Sequence, residues 1–439
     1  MGPVIRTVQG LADAFGGSLV GAGDEVSSAP VGRLVIDSRL IEPGDVFVAV
    51  RAERDGHDFV PAARKEGAAW VVVDHVVDDG ATVLIDDAFA ALARAGRVAR
   101  SELTGPVVGI TGSVGKTTTK DLVAAVLAQS KVVNASARSL NNELGVPLTL
   151  LDAPAGTEVS VIEMGARGGG HVAELCRIAS PTIGVVTLVA PAHLELFGTF
   201  EAIVEAKGEL IESLPADGIA VLNADQAEVL AMASRSSARP LTFGAAGDVR
   251  PRDVVVDDEL HVSLHLDTPW GPVEARLGVR GRHQVMNAAA AAAAALAAGA
   301  SLSDVEAGLS VTELSPWRME VNRADSGALI VNDAYNANPE SMAAALRSLA
   351  DLNVSRRVAI LGAMAELGDA TASAHSDMAA LAASLGIEVI AVGTDLYGIE
   401  PLAATDVTAR VGVLDSSVAV LVKGSRVAAL EGVALQLLQ

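Results

Sequence analysis

Residues 107–119 read Val-Val-Gly-Ile-Thr-Gly-Ser-Val-Gly-Lys-Thr-Thr-Thr, an apolar run that breaks into a glycine-rich turn and resumes as a helix-forming stretch. A strand that feeds a helix through so short a turn opens a β-α-β unit, and such units build a parallel sheet with helices on both faces. The chain keeps that rhythm. Apolar runs at Val159–Ile162, Ile183–Val189 and Ile219–Leu222 predict strands beside Val107–Thr111, and Lys116–Ala128 predicts the first crossover helix. The turn also carries chemistry. Backbone N–H groups of Gly112, Ser113, Val114 and Gly115, with those of Lys116, Thr117 and Thr118 at the helix start, can cradle phosphates; Lys116 can reach the β- and γ-phosphates, and the Thr117 hydroxyl can hold Mg²⁺. The general pattern G-x-x-x-x-G-K-[ST] wants glycine at 110, where Ile110 stands between Gly109 and Gly112, so this is a variant phosphate loop.

A chain of 439 residues holds two to four domains at roughly 100–200 residues each, and its pattern divides it into three α/β domains. Residues 1–103 carry short β-branched runs, Leu34–Ile36, Val46–Val50 after the turn Pro43-Gly44-Asp45, and Trp70–Val73, which suit a small α/β domain. Residues 104–312 hold the phosphate loop. Within them, 248–280 predicts antiparallel strands with polar turns, an insertion or an edge of the parallel sheet, and Asn287–Ala298 is a helix on alanine propensity alone. Residues 313–439 read as a third α/β unit, with strands at Ala328–Val331, Val358–Leu361, Val389–Val392 and Val418–Val422.

Composition narrows the partners. With 54 acidic against 32 basic residues the formal net charge is −22, which repels nucleic-acid phosphates and anionic lipid surfaces. The longest apolar block, Ala288–Ala300, falls short of the roughly 18 residues of a membrane span. The first residues show no basic-then-apolar leader, and one cysteine, Cys176, excludes an intramolecular disulfide framework. A cytoplasmic protein that neither binds nucleic acid nor inserts into a membrane is the expectation, with a monomer favoured.

Glu163 closes the strand Val159–Ile162, at the carboxyl end where open α/β sheets bind ligands, and is a candidate for Mg²⁺ held over the phosphate loop. His193, in Pro191-Ala192-His193-Leu194-Glu195, follows another strand and falls on the same rim, although a lone histidine is more often structural. No Asn-Lys-x-Asp base-reading motif and no protein-kinase signature is present. A small-molecule kinase, a motor and an ATP-dependent ligase remain.

Further strings decide among these. Thr111–Thr118, Asn141-Asn142-Glu143-Leu144-Gly145-Val146-Pro147, Ile162-Glu163-Met164-Gly165, Pro191–Glu195, Ala206-Lys207-Gly208-Glu209, Gly281–Asn287, Asn332-Asp333-Ala334-Tyr335-Asn336-Ala337-Asn338-Pro339 and Val422–Arg426 together resemble the Mur ligase family from end to end. In the first domain, Asp37-Ser38-Arg39, Pro43-Gly44-Asp45 and Asp55–Phe59 match the family's nucleotide-sugar-binding module. The resemblance implies an N-terminal domain for a UDP-sugar, a central ATPase and a C-terminal Rossmann-like domain that closes over both. It implies an ATP-dependent amide-bond ligase, and the Tyr-Asn-Ala-Asn-Pro string points to the branch that joins D-alanyl-D-alanine to a UDP-N-acetylmuramoyl-tripeptide through an acyl phosphate, in peptidoglycan precursor synthesis. Competing readings are another ligase of the superfamily, of folylpolyglutamate or poly-amino-acid synthetase type, and an ATP-binding relative that makes no bond.

Residue roles come with the resemblance. It implies Lys116 and the loop amides on ATP, Thr117 and Glu163 on one Mg²⁺, and His193 with a carbamylated Lys207 at a second Mg²⁺. Asn287 would contact adenine, and Asp333 and Arg318 would reach ribose and γ-phosphate. Asp37, Ser38, Arg39, Asn141, Asn142, Asn336, Asn338, Lys423 and Arg426 would serve the other substrates. By spacing alone, Lys207 reads as a solvated lysine in a helix Glu201–Leu214 with Glu205 and Glu209 near enough to pair, and Arg318 as a surface charge. Three departures stand out: Gln284 where many relatives have Asn, Ala363 where an acidic residue is usual, and a short stretch between Tyr397 and Val418 that predicts a reduced helix. Asp333 and Arg318 can share the loop's ATP only if the third domain turns inward, which predicts a hinge near residues 310–316. Lys116→Ala is expected to fold normally and to lose about 10²- to 10³-fold or more in ADP release; near-wild-type release would remove the phosphate-loop assignment.

Overall fold

The computed structural model describes residues 5, 7–21, 28–78, 80–137, 140–191 and 194–439. Its centre is a six-stranded, fully parallel sheet in the order Arg239–Phe243, Ile219–Asn223, Ile183–Val186, Val107–Thr111, Val159–Glu163, Val133–Ala135. From Val107–Thr111 the chain first builds toward one edge and then returns to build the other side. The strand order therefore reverses beside the phosphate loop, and open sheets hold ligands in the crevice at such a point. Sequence reading finds the four inner strands and misses both edges. Val133–Ala135 is interrupted by Asn134, whose buried amide donates to the Thr149 carbonyl at 3.0 Å. Arg239–Phe243 contains Pro240, tolerated because an edge strand needs fewer ladder donors.

The interval 248–280 is a separate three-stranded antiparallel sheet, Arg250–Val256, His261–Asp267 and Val273–Arg280. It is an insertion, not an edge of the parallel sheet. Its second and third strands alternate buried and exposed positions, as expected of a sheet with one dry face. The alanine helix spans Gln284–Ala297, and Ala288–Ala295 are all 0% exposed. With side chains this small, the helix lies against both the phosphate-loop helix Lys116–Leu127 and the central sheet.

The first sheet has the order Ser18–Val20, Thr82–Leu84, Trp70–Val73, Val46–Val48, Leu34–Val35, parallel except for Ser18–Val20. The last has the order Glu320–Arg323, Leu329–Asp333, Val418–Lys423, Arg356–Leu361, Glu388–Ala391, antiparallel only at Glu320–Arg323. Between Tyr397 and Val418 the chain forms the five-residue helix Val407–Val411. No helix among the described residues is long and apolar enough to cross a membrane.

Helix Leu302–Val311 packs across the phosphate-loop helix at Gly308, where an added Cβ would stand 2.3 Å from the Val126 Cα. Backbone cannot rotate away as a side chain can. Helix propensity alone favours Gly308→Ala by about 1 kcal/mol, whereas overpacking against backbone costs up to about 3 kcal/mol and leaves a net loss of up to about 2 kcal/mol. A lower urea midpoint for the variant is the expected readout, and a raised one would contradict this close approach.

Candidate active site

At the carboxyl ends of the central and last sheets lies a cavity of about 1200 Å³. The phosphate loop forms its floor. Gly112 and Gly115 have φ of 148° and 85°, and a Cβ on them would stand 2.1 Å from Thr187 Oγ1 and 2.4 Å from Asn287 Oδ1. Only glycine lets the chain turn here and lets Asn287 come down on the loop. Ser113 is fixed by Leu188 and Ala190: its amide donates to the Leu188 carbonyl at 2.6 Å and its hydroxyl to the Ala190 carbonyl at 2.9 Å. Val114 accepts from the Thr187 hydroxyl through its carbonyl, and Thr118 lines the cavity. Lys116 folds back over the loop, donating to the carbonyls of Gly112 at 2.7 Å and Ser113 at 3.4 Å. Burial, with Arg318 adding to it and Glu163 opposing, holds its ammonium below the usual lysine range.

Glu163 is 1% exposed. Its Oε1 accepts from Asn141 Nδ2 at 2.8 Å, and its Oε2 is buried with no hydrogen-bond partner. A buried carboxylate oxygen is costly without a donor or cation, and a hard oxygen of this kind suits Mg²⁺. Lys207 is 3% exposed, which overturns the solvated reading. Neither flanking acid pairs with it: Glu205 binds Arg235, and Glu209 accepts from the amides of Gly170 and Ala173. The Lys207 ammonium instead lies 5.8 Å from the centre of the Phe197 ring. Burial first, then the charge of Lys116, brings its pKa down to about 7 against Glu209 and Glu163. His193 lies outside the described residues.

Arg318 comes from the segment leading into the last sheet. Its Nη2 donates to Thr117 Oγ1 at 2.9 Å, its guanidinium lies 4.1 Å from the centre of the Tyr335 ring, and its Nε is buried without a partner. Arg318, 201 residues along the chain from Thr117, thus lies against the phosphate loop. The flanking Trp317 and Met319 have φ of 62° and 51°, a left-handed conformation costing on the order of 1–3 kcal/mol each in bulky residues. Asp333 accepts from the Met319 amide at 3.1 Å and from Lys423 Nζ at 2.5 Å.

Several expected substrate residues have structural work as well. Lys423 is 2% exposed and donates to Asp333 and the Asn336 carbonyl. Asn338 caps the helix Pro339–Asp351 in a capping box with Ser341. Asn142 accepts from the Leu144 and Gly145 amides. Arg426 pairs with Glu431 at 2.7 Å and covers the Trp317 ring. All of these, with Asn336, line the cavity. Asp37, Ser38 and Arg39 do not; Asp37 caps a short 3₁₀ turn and pairs with an Arg39 whose side chain is 86% exposed. Asn287 donates to Gln284 Oε1 at 2.7 Å, so the glutamine stands as its support. Sequence reasoning misses Asn223, Phe243, Met286 and Tyr335 on the cavity wall, and Phe89 and Ala93 from the helix Ala88–Glu102. Tyr335 stood in the Tyr-Asn-Ala-Asn-Pro string without a role, and the scarcity of aromatics, two Tyr and seven Phe, was the available signal for Phe89 and Phe243.

Residues 110–295 match the family described as Mur ligase middle domain, and residues 317–435 match Mur ligase, glutamate ligase domain. The UDP-N-acetylmuramoyl-tripeptide–D-alanyl-D-alanine ligase of Mycobacterium tuberculosis is 40% identical, over 88% of this chain and 83% of that one. A crystal structure of MurF from Acinetobacter baumannii superposes with a TM-score of 0.87 at 28% identity, covering 99% of this chain and 98% of that one. MurF ligase from Thermotoga maritima in complex with ADP superposes with a TM-score of 0.78 at 30% identity, covering 92% and 96%.

The Lys207 environment generates a pH signature. Unfolded lysine keeps its proton to about pH 10.4, whereas the folded amine releases it near pH 7. Between these values the unfolded chain binds the extra proton, so stability rises with pH by up to about 1.4 kcal/mol per unit. In CO₂-free buffer, wild type is expected to gain stability from pH 7 to 10 relative to Lys207→Met; parallel stability curves would contradict a buried amine.

Proposed function

The chain belongs to the Mur ligase family, and on that premise we propose that it joins D-alanyl-D-alanine to a UDP-N-acetylmuramoyl-tripeptide with hydrolysis of ATP to ADP and phosphate, supplying peptidoglycan precursor. The observation that carries the reading is the meeting of Arg318 with Thr117, which closes the last sheet onto a phosphate loop already faced by the unpartnered Glu163 oxygen. The named relatives support the substrates. The reading gives residues 1–103 to the UDP-sugar, 104–312 to ATP and 313–439 to closure and the acceptor. It carries a cytoplasmic monomer with it, in keeping with the single buried thiol of Cys176.

The loop amides other than that of Ser113, which the Leu188 carbonyl occupies, hold the phosphates with Lys116, and Phe243, Met286 and Asn287 offer an apolar and amide corner for adenine. Glu163 Oε2 and the Thr117 hydroxyl fit one Mg²⁺, which neutralises phosphate charge when bound. His193 and Lys207 belong to a second. The peptide's terminal carboxylate attacks the γ-phosphorus and ADP leaves. The acceptor amine then attacks the acyl carbon and inorganic phosphate leaves. The first step brings carboxylate and polyphosphate together and the second develops an oxyanion beside the leaving phosphate, so Lys116 and Arg318 act by stabilising negative charge in a dry site. Asp333 keeps free lone pairs for a ribose hydroxyl.

A Lys207 amine that is neutral near pH 7 is the form that reacts with CO₂, and the carbamate so formed replaces a cation with an oxygen donor suited to Mg²⁺. Lys207→Ala is expected to lose ligase activity and to recover part of it with acetate. Full activity in the variant, or in wild type stripped of bicarbonate, would refute the carbamate. The decisive assay for the reading as a whole is ADP release with UDP-muramoyl-tripeptide and a panel of dipeptides. Release should require both substrates and favour D-alanyl-D-alanine, and nucleotide hydrolysis indifferent to them would overturn it.

A further inference from the structure

We propose that Asp121 is a positioning residue of this reaction, anchoring the segment before the last sheet at Ser315 so that Arg318 lands on the phosphate loop. The proposal rests on the ligase reading above. Asp121 lies on the helix Lys116–Leu127, four residues after Thr117, and residues so spaced stack on one helix face a turn apart. Both face the same incoming segment. Asp121 Oδ2 accepts from the Ser315 amide at 2.9 Å and from the Ser315 hydroxyl at 3.0 Å, while Thr117 Oγ1 accepts from Arg318 Nη2 at 2.9 Å. One turn of helix is thereby matched against residues 315–318 at two points.

The other anchors of this segment show why Asp121 is singular. The Trp317 amide donates to Glu320 Oε1 at 2.7 Å and the Met319 amide to Asp333 Oδ1 at 3.1 Å. Three alternate amides, at 315, 317 and 319, are each held by a carboxylate. Glu320 and Asp333 belong to the last sheet and travel with it; Asp121 belongs to the helix that carries the loop. Of these three anchors, only Asp121 refers the Arg318 turn to the phosphates. Its carboxylate is itself fixed, because Oδ1 pairs with Lys120 Nζ at 2.8 Å and Lys120 donates to the Ser136 carbonyl at 2.7 Å. Pro316 restricts the backbone of Ser315, so an anchor there is passed along the chain instead of being lost in rotation. The left-handed Trp317 and Met319 then leave Arg318 with one direction to point.

Without Asp121 the nucleotide would still bind its loop, but Arg318 would reach the γ-phosphate less often in the productive position. Misplacement of about 1 Å can cost about 10²-fold in rate. The test uses full-length Asp121→Asn, Ser315→Ala, Arg318→Lys and the two double variants with Arg318→Lys, assayed for ADP release, for ATP-analogue affinity and for melting temperature. Asp121→Asn should lose about 10- to 100-fold in kcat while KM for ATP and analogue affinity stay within about threefold. Ser315→Ala, which leaves the Lys120–Asp121 pair intact, should show a smaller loss of the same kind. Each double variant should be little worse than Arg318→Lys alone, because both changes act on one placement. Unchanged kcat in both single variants, or losses that multiply in the doubles, would overturn the proposal. If Asp121→Asn does not fold, Ser315→Ala and its double decide on the same criteria. A wild-type enzyme that forms no amide product would instead defeat the ligase reading. Scattering then still judges the anchor without turnover: analogue-induced compaction seen in wild type and lost in Ser315→Ala supports it, and equal compaction in both refutes it.

Discussion

The rest of the site is arranged around a buried carboxylate oxygen that has no partner. Glu163 Oε2 sits at the end of a central strand, 1% of its residue exposed, while Lys116 points back at its own loop and Arg318 bonds a threonine. Ionised groups in a low-dielectric cavity must be compensated nearby, because water cannot do it. Here the cations and the anion are held apart by their own hydrogen bonds. What completes the set is a polyphosphate with a divalent ion, negative against Lys116 and Arg318 and positive against Glu163. The surface adds nothing to this attraction: at −22 the chain's overall field repels a nucleotide. Affinity must come from short-range contacts inside the cavity, which is why the loop, Glu163 and the incoming arginine have to be placed accurately.

Placement comes from packing by small groups. The alanines 288–295 let their helix settle against the phosphate-loop helix, and Asn287 at its start then reaches the loop where Gly115 leaves room. Gly308 does the same for helix Leu302–Val311 on the other flank. The phosphate-loop helix is therefore held on two sides by surfaces of small residues, with no room for an added carbon at Gly308, and its first turn inherits that rigidity. With only 3% aromatic residues, the chain reaches its fit through close backbone approach more than through large interlocking side chains.

How much of this was legible depends on how far apart in sequence the partners lie. The loop, the inner strands and Glu163 are local patterns, each a short run whose residue types state their own geometry. The burial of Lys207 is not local: Glu205 and Glu209 at helical spacing advertise a solvated pair, yet each bonds elsewhere, and only the family string Ala206–Glu209 argued otherwise. Asp121 and Ser315, 194 residues apart, carry no mark of their contact in either neighbourhood. Asp37–Arg39 is a local string of another kind: the resemblance gives it to the nucleotide-sugar module of the first domain, apart from the cavity, which it does not line. The three-stranded insertion was read as antiparallel, but its attachment could not be, since alternation reports a strand's faces and not its neighbour.

The short helix Val407–Val411 between Tyr397 and Val418 raises the question of what in the last sheet the site requires. Lys423 is the residue that the site takes from the strand following that helix, and its position is set by register. Strand Val418–Lys423 pairs on one side with Leu329–Asp333, Asp333 opposite Lys423, and on the other with Arg356–Leu361, Leu361 opposite Lys423. A parallel strand clamped between two others cannot slip by one residue without exchanging the side chains it packs on its two faces, and all six of its residues are buried. The Asp333–Lys423 pair is thus fixed by ladders that the crossover does not touch. The crossover has only to cover the sheet's far face, and Val407 and Val411, both buried in the five-residue helix, still do so. A helix this short suffices, because the register that holds Asp333 toward the Arg318 turn is set elsewhere.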